Sequence, residues 1–206
     1  MFITFEGPDG SGKTSQIGML ADHLRAKGYT VITTREPGGT AIGDQIRACL
    51  HDVANTEMAF QTELLLYSAS RAQLVRQVIR PSLALGHIVL CDRFADSTMA
   101  YQGYGRGLDR DQLALLTAFA TGGLKPDLTI LLDMDVERGL ARRTANAEEM
   151  NRLDLETAVF HQRVREGYHQ LAAHEPDRWR VVDADRAVTA VFADVQRIVE
   201  AAIGNK

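Results

Sequence analysis

The sequence predicts an α/β fold built on a parallel sheet, and three observations predict it. Short strand-like runs recur along the 206 residues, amphipathic segments alternate with them, and the first run leads into a glycine-rich turn that opens a helix. In chain order, Phe2 to Phe5 is a short apolar run and Tyr29 to Thr34 is rich in β-branched residues. His87 to Cys91 reads HIVLC, Asp127 to Leu132 reads DLTILL, and Arg178 to Val182 reads RWRVV. The third and fourth runs are almost continuously apolar, as strands covered on both faces are. Ile17, Leu20 and Leu24 share one helix face, with Gly28 as a stop. Asp109 to Ala120, Thr157 to Ala173 and Val188 to Ile203 repeat apolar residues at helical spacing. Alternation of this kind implies right-handed βαβ units in one domain spanning 1–206.

Bulk properties narrow the function classes. The chain is 45% hydrophobic and 24% charged, with a net charge of −4. A general nucleic-acid binder carries a positive excess to neutralise rows of phosphates, so the expected partner is a small anion met by local Lys and Arg, not a nucleic acid. No run approaches the roughly 20 apolar residues that span a bilayer, so no membrane role is expected. Cys49 and Cys91 show no metal-ligand spacing and are read as reduced and buried, in a cytoplasmic protein. The six histidines, at 23, 51, 87, 161, 169 and 174, form no site, and His161 and His169 are expected on a solvated helix.

The strongest chemical signal is Gly7-Pro8-Asp9-Gly10-Ser11-Gly12-Lys13-Thr14, a G-x-x-x-x-G-K-T pattern between a strand and a helix. Glycines there let successive backbone N–H groups converge on phosphate oxygens, and the helix N-terminus adds its positive dipole end. This is the P-loop arrangement. It puts the Lys13 ammonium on the β- and γ-phosphates of ATP and the Thr14 hydroxyl on Mg²⁺. Asp92-Arg93 closes the run HIVLC. At the carboxyl end of a strand a carboxylate can reach Mg²⁺ and an arginine can grip a phosphate. Arg35-Glu36-Pro37-Gly38-Gly39-Thr40 follows the second run, and reads equally as a turn or as a loop presenting a bidentate guanidinium. Tyr67 and Arg71, four apart, put an aromatic plate and a guanidinium on one helix side, which suits a nucleobase; in an isolated pair a buried aromatic beside a solvated arginine is commoner. Thr144 to Asn151 is small and polar, flanked by Arg142, Arg143 and Arg152, and on pattern alone reads as a solvated turn.

In this order the pieces resemble the bacterial thymidylate kinase (dTMP kinase) family. The likeness rests on FEGPDGSGKT at 5–14, TREPGGT at 34–40, LLLYSASRAQLV at 64–75, CDRFADSTMAYQG at 91–103 and PDLTILLD at 126–133. It implies the nucleoside-monophosphate kinase fold: a five-stranded parallel sheet wrapped by helices, with a short lid at about 141–153. It implies transfer of the γ-phosphoryl group of ATP to dTMP, giving dTDP and ADP in dTTP biosynthesis, by a homodimer. By motif, Lys13 and Thr14 hold ATP–Mg²⁺, with Asp92 as a second metal contact. Asp9 resembles the acid beside the acceptor sugar's 3′-hydroxyl. Arg93 and Arg35 resemble acceptor-phosphate ligands, with Glu36 beside them. Tyr67 takes the base-stacking position, where phenylalanine is usual, and Arg71 resembles the reader of thymine O4. Ser97, Thr98 and Gln102 fall near base or sugar, and Tyr101 resembles the residue that crowds the 2′ position. Phe94 departs from the tyrosine common there, and the P-loop lacks an arginine. The resemblance therefore turns 141–153 into a lid whose Arg142, Arg143 or Arg152 meets the reacting phosphates.

Other readings are a P-loop kinase acting on a deoxynucleoside or another monophosphate, a nucleotide-dependent switch, and a P-loop protein that has lost activity. A guanine-reading switch calls for N-K-x-D, and the only Asn-Lys pair is Asn205-Lys206. All the charged positions that catalysis calls for are present.

Overall fold

The computed structural model describes residues 1–144 and 152–204. Five parallel strands form one sheet: β1 (Phe2–Glu6), β2 (Val31–Arg35), β3 (Ile88–Asp92), β4 (Leu128–Asp133) and β5 (Trp179–Asp183), in the order β2-β3-β1-β4-β5. Between them run α1 (Lys13–Ala26), α2 (Ala41–His51), α3 (Phe60–Leu74), α4 (Arg80–Ala84), α5 (Ala95–Thr98), α6 (Arg110–Thr121), α7 (Val136–Thr144), α8 (Ala158–His174) and α9 (Val188–Gly204). The five expected strands are all present. All five end one residue later than the runs predict, at Glu6, Arg35, Asp92, Asp133 and Asp183. Ladder hydrogen bonds continue past the last apolar side chain, so each of those strands ends on a charged residue at the sheet's carboxyl edge. The central strand β1 ends there on Glu6.

Strand alternation splits the core in two. Ile3, Phe5, Leu90, Leu128, Ile130 and Leu132 face α1 and α9, against Leu20, Leu24, Val191, Val195 and Val199. On the other face, Phe2, Val89 and Cys91 pack with Leu74, Val75, Ile79 and Phe94, while Leu131 and Trp179 pack with Tyr101, Phe160, Val164 and Tyr168.

Two π-helical turns, Val75–Ile79 and Met99–Gly105, have no counterpart in the sequence reading. In the second, Ala100, Tyr101, Gln102, Gly103 and Gly105 are all buried. The wider π turn lets adjacent residues Tyr101 and Gln102 both face inward, which an α-helix of 3.6 residues per turn does not favour. α8 packs closely on this turn: a Cβ at Gly167 would lie 2.6 Å from the Tyr104 ring.

Two expectations need correction. Cys49 is exposed, on the polar rim of α2, and only Cys91 is buried. His161 is buried, because α8 turns it toward Phe160 and the π turn rather than to solvent. Residues 145–151 of the expected lid, and the side chain of Arg143, lie outside what is described.

Leu90 is fully buried at the centre of β3. Leu90→Ala is expected to cost about 2–5 kcal/mol, read from the urea midpoint at unchanged slope. A loss below about 1 kcal/mol would contradict this packing.

Candidate active site

Site residues converge where β1, β2 and β3 end. The loop from Gly7 to Gly12 joins β1 to α1, and the helix starts at Lys13. Gly7 has φ 138°, and a Cβ there would lie 2.4 Å from the Leu132 carbonyl oxygen, so only glycine fits. The Lys13 ammonium donates to the carbonyls of Gly7 at 3.1 Å and Pro8 at 2.8 Å, and to Ser11 Oγ at 3.4 Å. Burial and the neighbouring Arg93 pull its pKa down to about 8, against the attraction of Asp92, Asp9 and Glu6. The Thr14 hydroxyl donates to Asp92 Oδ2 at 2.7 Å, which joins the two expected metal contacts.

Arg93 follows β3 with φ 67°, a left-handed conformation that costs a non-glycine residue roughly 1–2 kcal/mol. Its backbone N–H is held by the Phe5 carbonyl at 2.9 Å. Its guanidinium donates to Asp9 Oδ1 (2.9 Å), the Tyr101 hydroxyl (2.9 Å), the Tyr168 hydroxyl (3.0 Å) and Ser97 Oγ (3.2 Å). Tyr101 donates in turn to the other Asp9 oxygen at 2.8 Å. Burial pushes the Asp9 carboxyl up, but Arg93 and Lys13 outweigh it and hold the group well below the usual carboxylate range. Beneath lies Glu6, fully buried, accepting from the Phe94 backbone N–H (2.8 Å), Ser97 (2.5 Å) and Tyr168 (2.9 Å). Burial and Asp96 push Glu6 up to about 7, against Ser97, Arg93 and Tyr168.

The 35–40 loop is pinned on three sides. Thr40 caps α2 by accepting from Gly43, Ser70 of α3 accepts from Gly38, and Arg47 of α2 donates to the Pro37 carbonyl. Arg35 pairs with Asp44 at 3.2 Å and stays half exposed. Glu36 is buried and takes Arg71 Nε at 2.8 Å, and burial raises it despite Arg71. Arg71 is thus not the solvated arginine of the commoner reading. It is 1% exposed, lies over the Phe94 ring, and keeps one buried nitrogen, Nη1, without a partner.

These elements enclose a cavity of about 700 Å³. Asp9, Gly10, Gly12, Lys13, Thr14, Arg35, Glu36, Tyr67, Arg71, Asp92, Arg93, Ser97, Thr98, Tyr101, Gln102 and Arg142 all line it. Gly7, Pro8 and Ser11 form the loop beneath. Arg142 reaches the cavity from α7 and lies 3.8 Å from Asp185. Arg152 is not on the lining; its guanidinium pairs with Glu63. Sequence reading missed Glu6, Arg47, Glu63 and Tyr168. A glutamate ending an apolar strand, and a glutamate four residues before Tyr67 and eight before Arg71, were the legible signals for two of them. Nothing local marks Arg47 or Tyr168.

A family model described as thymidylate kinase matches residues 5–195. Curated thymidylate kinases of Roseiflexus sp. (strain RS-1) and Thermomicrobium roseum are 52% and 53% identical, covering 97% of this chain and 93% and 96% of theirs. A thymidylate kinase crystal structure from Ehrlichia chaffeensis superimposes with a TM-score of 0.79 at 35% identity, covering 97% of this chain and 98% of that one.

The Lys13 pKa gives a signed test. Only the ammonium attracts phosphate, so ATP affinity should hold below pH 8 and fall above it. Titration calorimetry should show a Kd about tenfold weaker at pH 9 than at pH 7, with proton uptake on binding. A Kd flat up to pH 10 would contradict a lowered pKa.

Proposed function

The chain belongs to the thymidylate kinase family and phosphorylates dTMP to dTDP with ATP, and we propose that the cavity described above is where the two nucleotides meet. The observation that carries this is the grouping of Lys13, Arg93, Arg35, Arg47 and Arg142 around one space next to the P-loop. Two polyanions repel each other, and converging cations offset that repulsion in a site shielded from water.

In this reading the Gly7–Thr14 loop takes the ATP phosphates, with Lys13 swinging from the loop carbonyls onto the β/γ oxygens. Arg93, held by Asp9 and Tyr101, takes the acceptor phosphate together with Arg35 and Arg47. The nucleophile is already an anionic phosphate oxygen, so no strong general base is needed. Asp9 stays ionised, orients Arg93 and offers its carboxylate to the sugar. Thr14 and Asp92 supply hard oxygen ligands side by side. Among the described residues no cluster of three His, Cys, Asp or Glu is gathered for a metal. That fits Mg²⁺, which keeps several waters and phosphate oxygens instead of an all-protein cage. When bound there, Mg²⁺ would neutralise charge on the transferring group.

The base is read at the far wall. Tyr67 offers a face for stacking, and Arg71 Nη1 offers an N–H to a carbonyl such as thymine O4. Gln102, on the same cavity, offers an acceptor for an N3–H. Arg142 is the cavity-facing cation of the proposed lid at 141–153. A homodimer would be built on α3 and α6, which expose Leu65, Leu115 and Phe119. A cytoplasmic setting fits two free thiols. Among the described residues no helix is long and apolar enough to cross a membrane.

Coupled ADP release should show turnover with dTMP far above that with dCMP, dGMP and AMP; equal rates would remove the base-reading pocket. Arg71→Ala should lower kcat/KM for dTMP by about 10²-fold while the KM for ATP changes little. Equal weakening of both would make Arg71 a scaffold residue. Lys13→Ala should lower kcat by about 10³-fold or more with an unchanged melting temperature, and near-normal turnover would refute the P-loop assignment.

A further inference from the structure

Glu63 is a fully buried carboxylate that does not itself line the cavity. It lies on α3 one turn before Tyr67 and two before Arg71, so the three form one inward stripe. Three side chains converge on it. Gln102 Nε2 at 2.7 Å and Arg106 Nε at 3.4 Å donate to Oε1, while Arg106 Nη2 at 3.2 Å and Arg152 Nη2 donate to Oε2. Arg106 is clamped between the Phe60 and Phe160 rings, 4.5 and 4.9 Å from their centroids, and its Nη1 holds Glu156 at 2.5 Å. Burial pushes the Glu63 carboxyl up, but Arg106, Arg152 and Gln102 bring it below the usual range, so it is ionised at neutral pH.

An ionised carboxylate only accepts hydrogen bonds. The half of the Gln102 amide that faces it must therefore be the NH₂, since a carbonyl there would oppose two acceptors. The Gln102 carbonyl oxygen points the other way and accepts nothing from the described residues. Gln102 is 2% exposed and lines the same cavity as Arg71, whose Nη1 lacks a partner. The wall thus carries one fixed donor and one fixed acceptor.

We propose that Glu63 is a positioning residue for base selection: it locks the Gln102 amide so that its carbonyl faces the nucleobase. A base with N3–H beside a carbonyl, as thymine and uracil have, matches this pair. A base with an N3 lone pair beside an amino group, as cytosine has, meets acceptor against acceptor and donor against donor. A free glutamine could turn over and offer its NH₂ to the cytosine N3; one tied to an ionised glutamate cannot. The inference rests on the reading that Arg71 and Gln102 face the base.

The test measures kcat/KM for dTMP and dCMP, and the KM for ATP, in the full chain. Glu63→Gln can itself donate, which frees Gln102 to turn. It should lower the dTMP/dCMP selectivity ratio by roughly tenfold or more, with the KM for ATP within about threefold. Gln102→Met keeps the ion pairs and should lower the ratio on its own. Combining the two should lower it no further than Gln102→Met does. If Gln102→Met leaves the ratio unchanged, Gln102 does not read the base and the proposal falls, whether or not Glu63→Gln folds. If Gln102→Met lowers the ratio and folded Glu63→Gln does not, or if the two losses add, base reading stands and the role of Glu63 is overturned. If Glu63→Gln does not fold, Glu63→Asp, which draws the carboxylate one methylene back from the Gln102 amide, takes its place under the same criteria.

Discussion

Arg93 occupies a left-handed backbone position, φ 67°, that arginine does not favour locally, and the rest of the site is arranged to keep it there. Its backbone N–H is tied to β1, and its guanidinium is tied to Asp9, Tyr101, Ser97 and Tyr168. These partners come from four different segments of the chain: the P-loop, α5, the π turn and α8. A cation fixed in this way loses little freedom when it meets an anion, so its attraction goes into binding and not into ordering. It also lies close enough to Lys13 to lower the lysine pKa. In the proposed reading the two cations therefore repel each other until phosphates arrive, which favours a filled site over an empty one.

Buried carboxylates keep this crowd of positive charge in place. Glu6 holds the turn that follows Arg93, Glu36 holds Arg71, and Glu63 holds Arg106, Arg152 and Gln102. Each would be costly to bury alone; Glu6 and Glu63 are each met by several donors, while Glu36 is met by the Arg71 guanidinium on one oxygen and keeps Oε1 without a partner. The two walls of the cavity differ as a result. The P-loop side offers mobile or converging cations suited to phosphate, while the α3 side offers fixed hydrogen-bonding groups suited to a base edge.

Much of this was legible in the chain itself. Apolar runs marked all five strands, because a parallel sheet covered on both faces needs them. G-x-x-x-x-G-K-T marked the loop between β1 and α1, because its glycines at positive φ permit that backbone. What stayed hidden was long-range. Arg47 reaches the site from α2 and Tyr168 from α8, and neither position carries a local pattern. The π turn at 99–105 also escaped, since helical spacing places only one of Tyr101 and Gln102 inward. His161 was misplaced for a related reason: α8 packs against that turn, so a face that reads as polar is covered.

If a pre-positioned guanidinium, and not positive charge alone, gathers the acceptor phosphate, Arg93→Lys is the most direct test. It keeps the charge and loses the planar fork that Asp9, Tyr101, Ser97 and Tyr168 hold. Steady-state kinetics should show kcat/KM for dTMP falling by about 100-fold, near 2.7 kcal/mol, with ATP affinity little changed. Activity within about threefold of the parent enzyme would contradict the account.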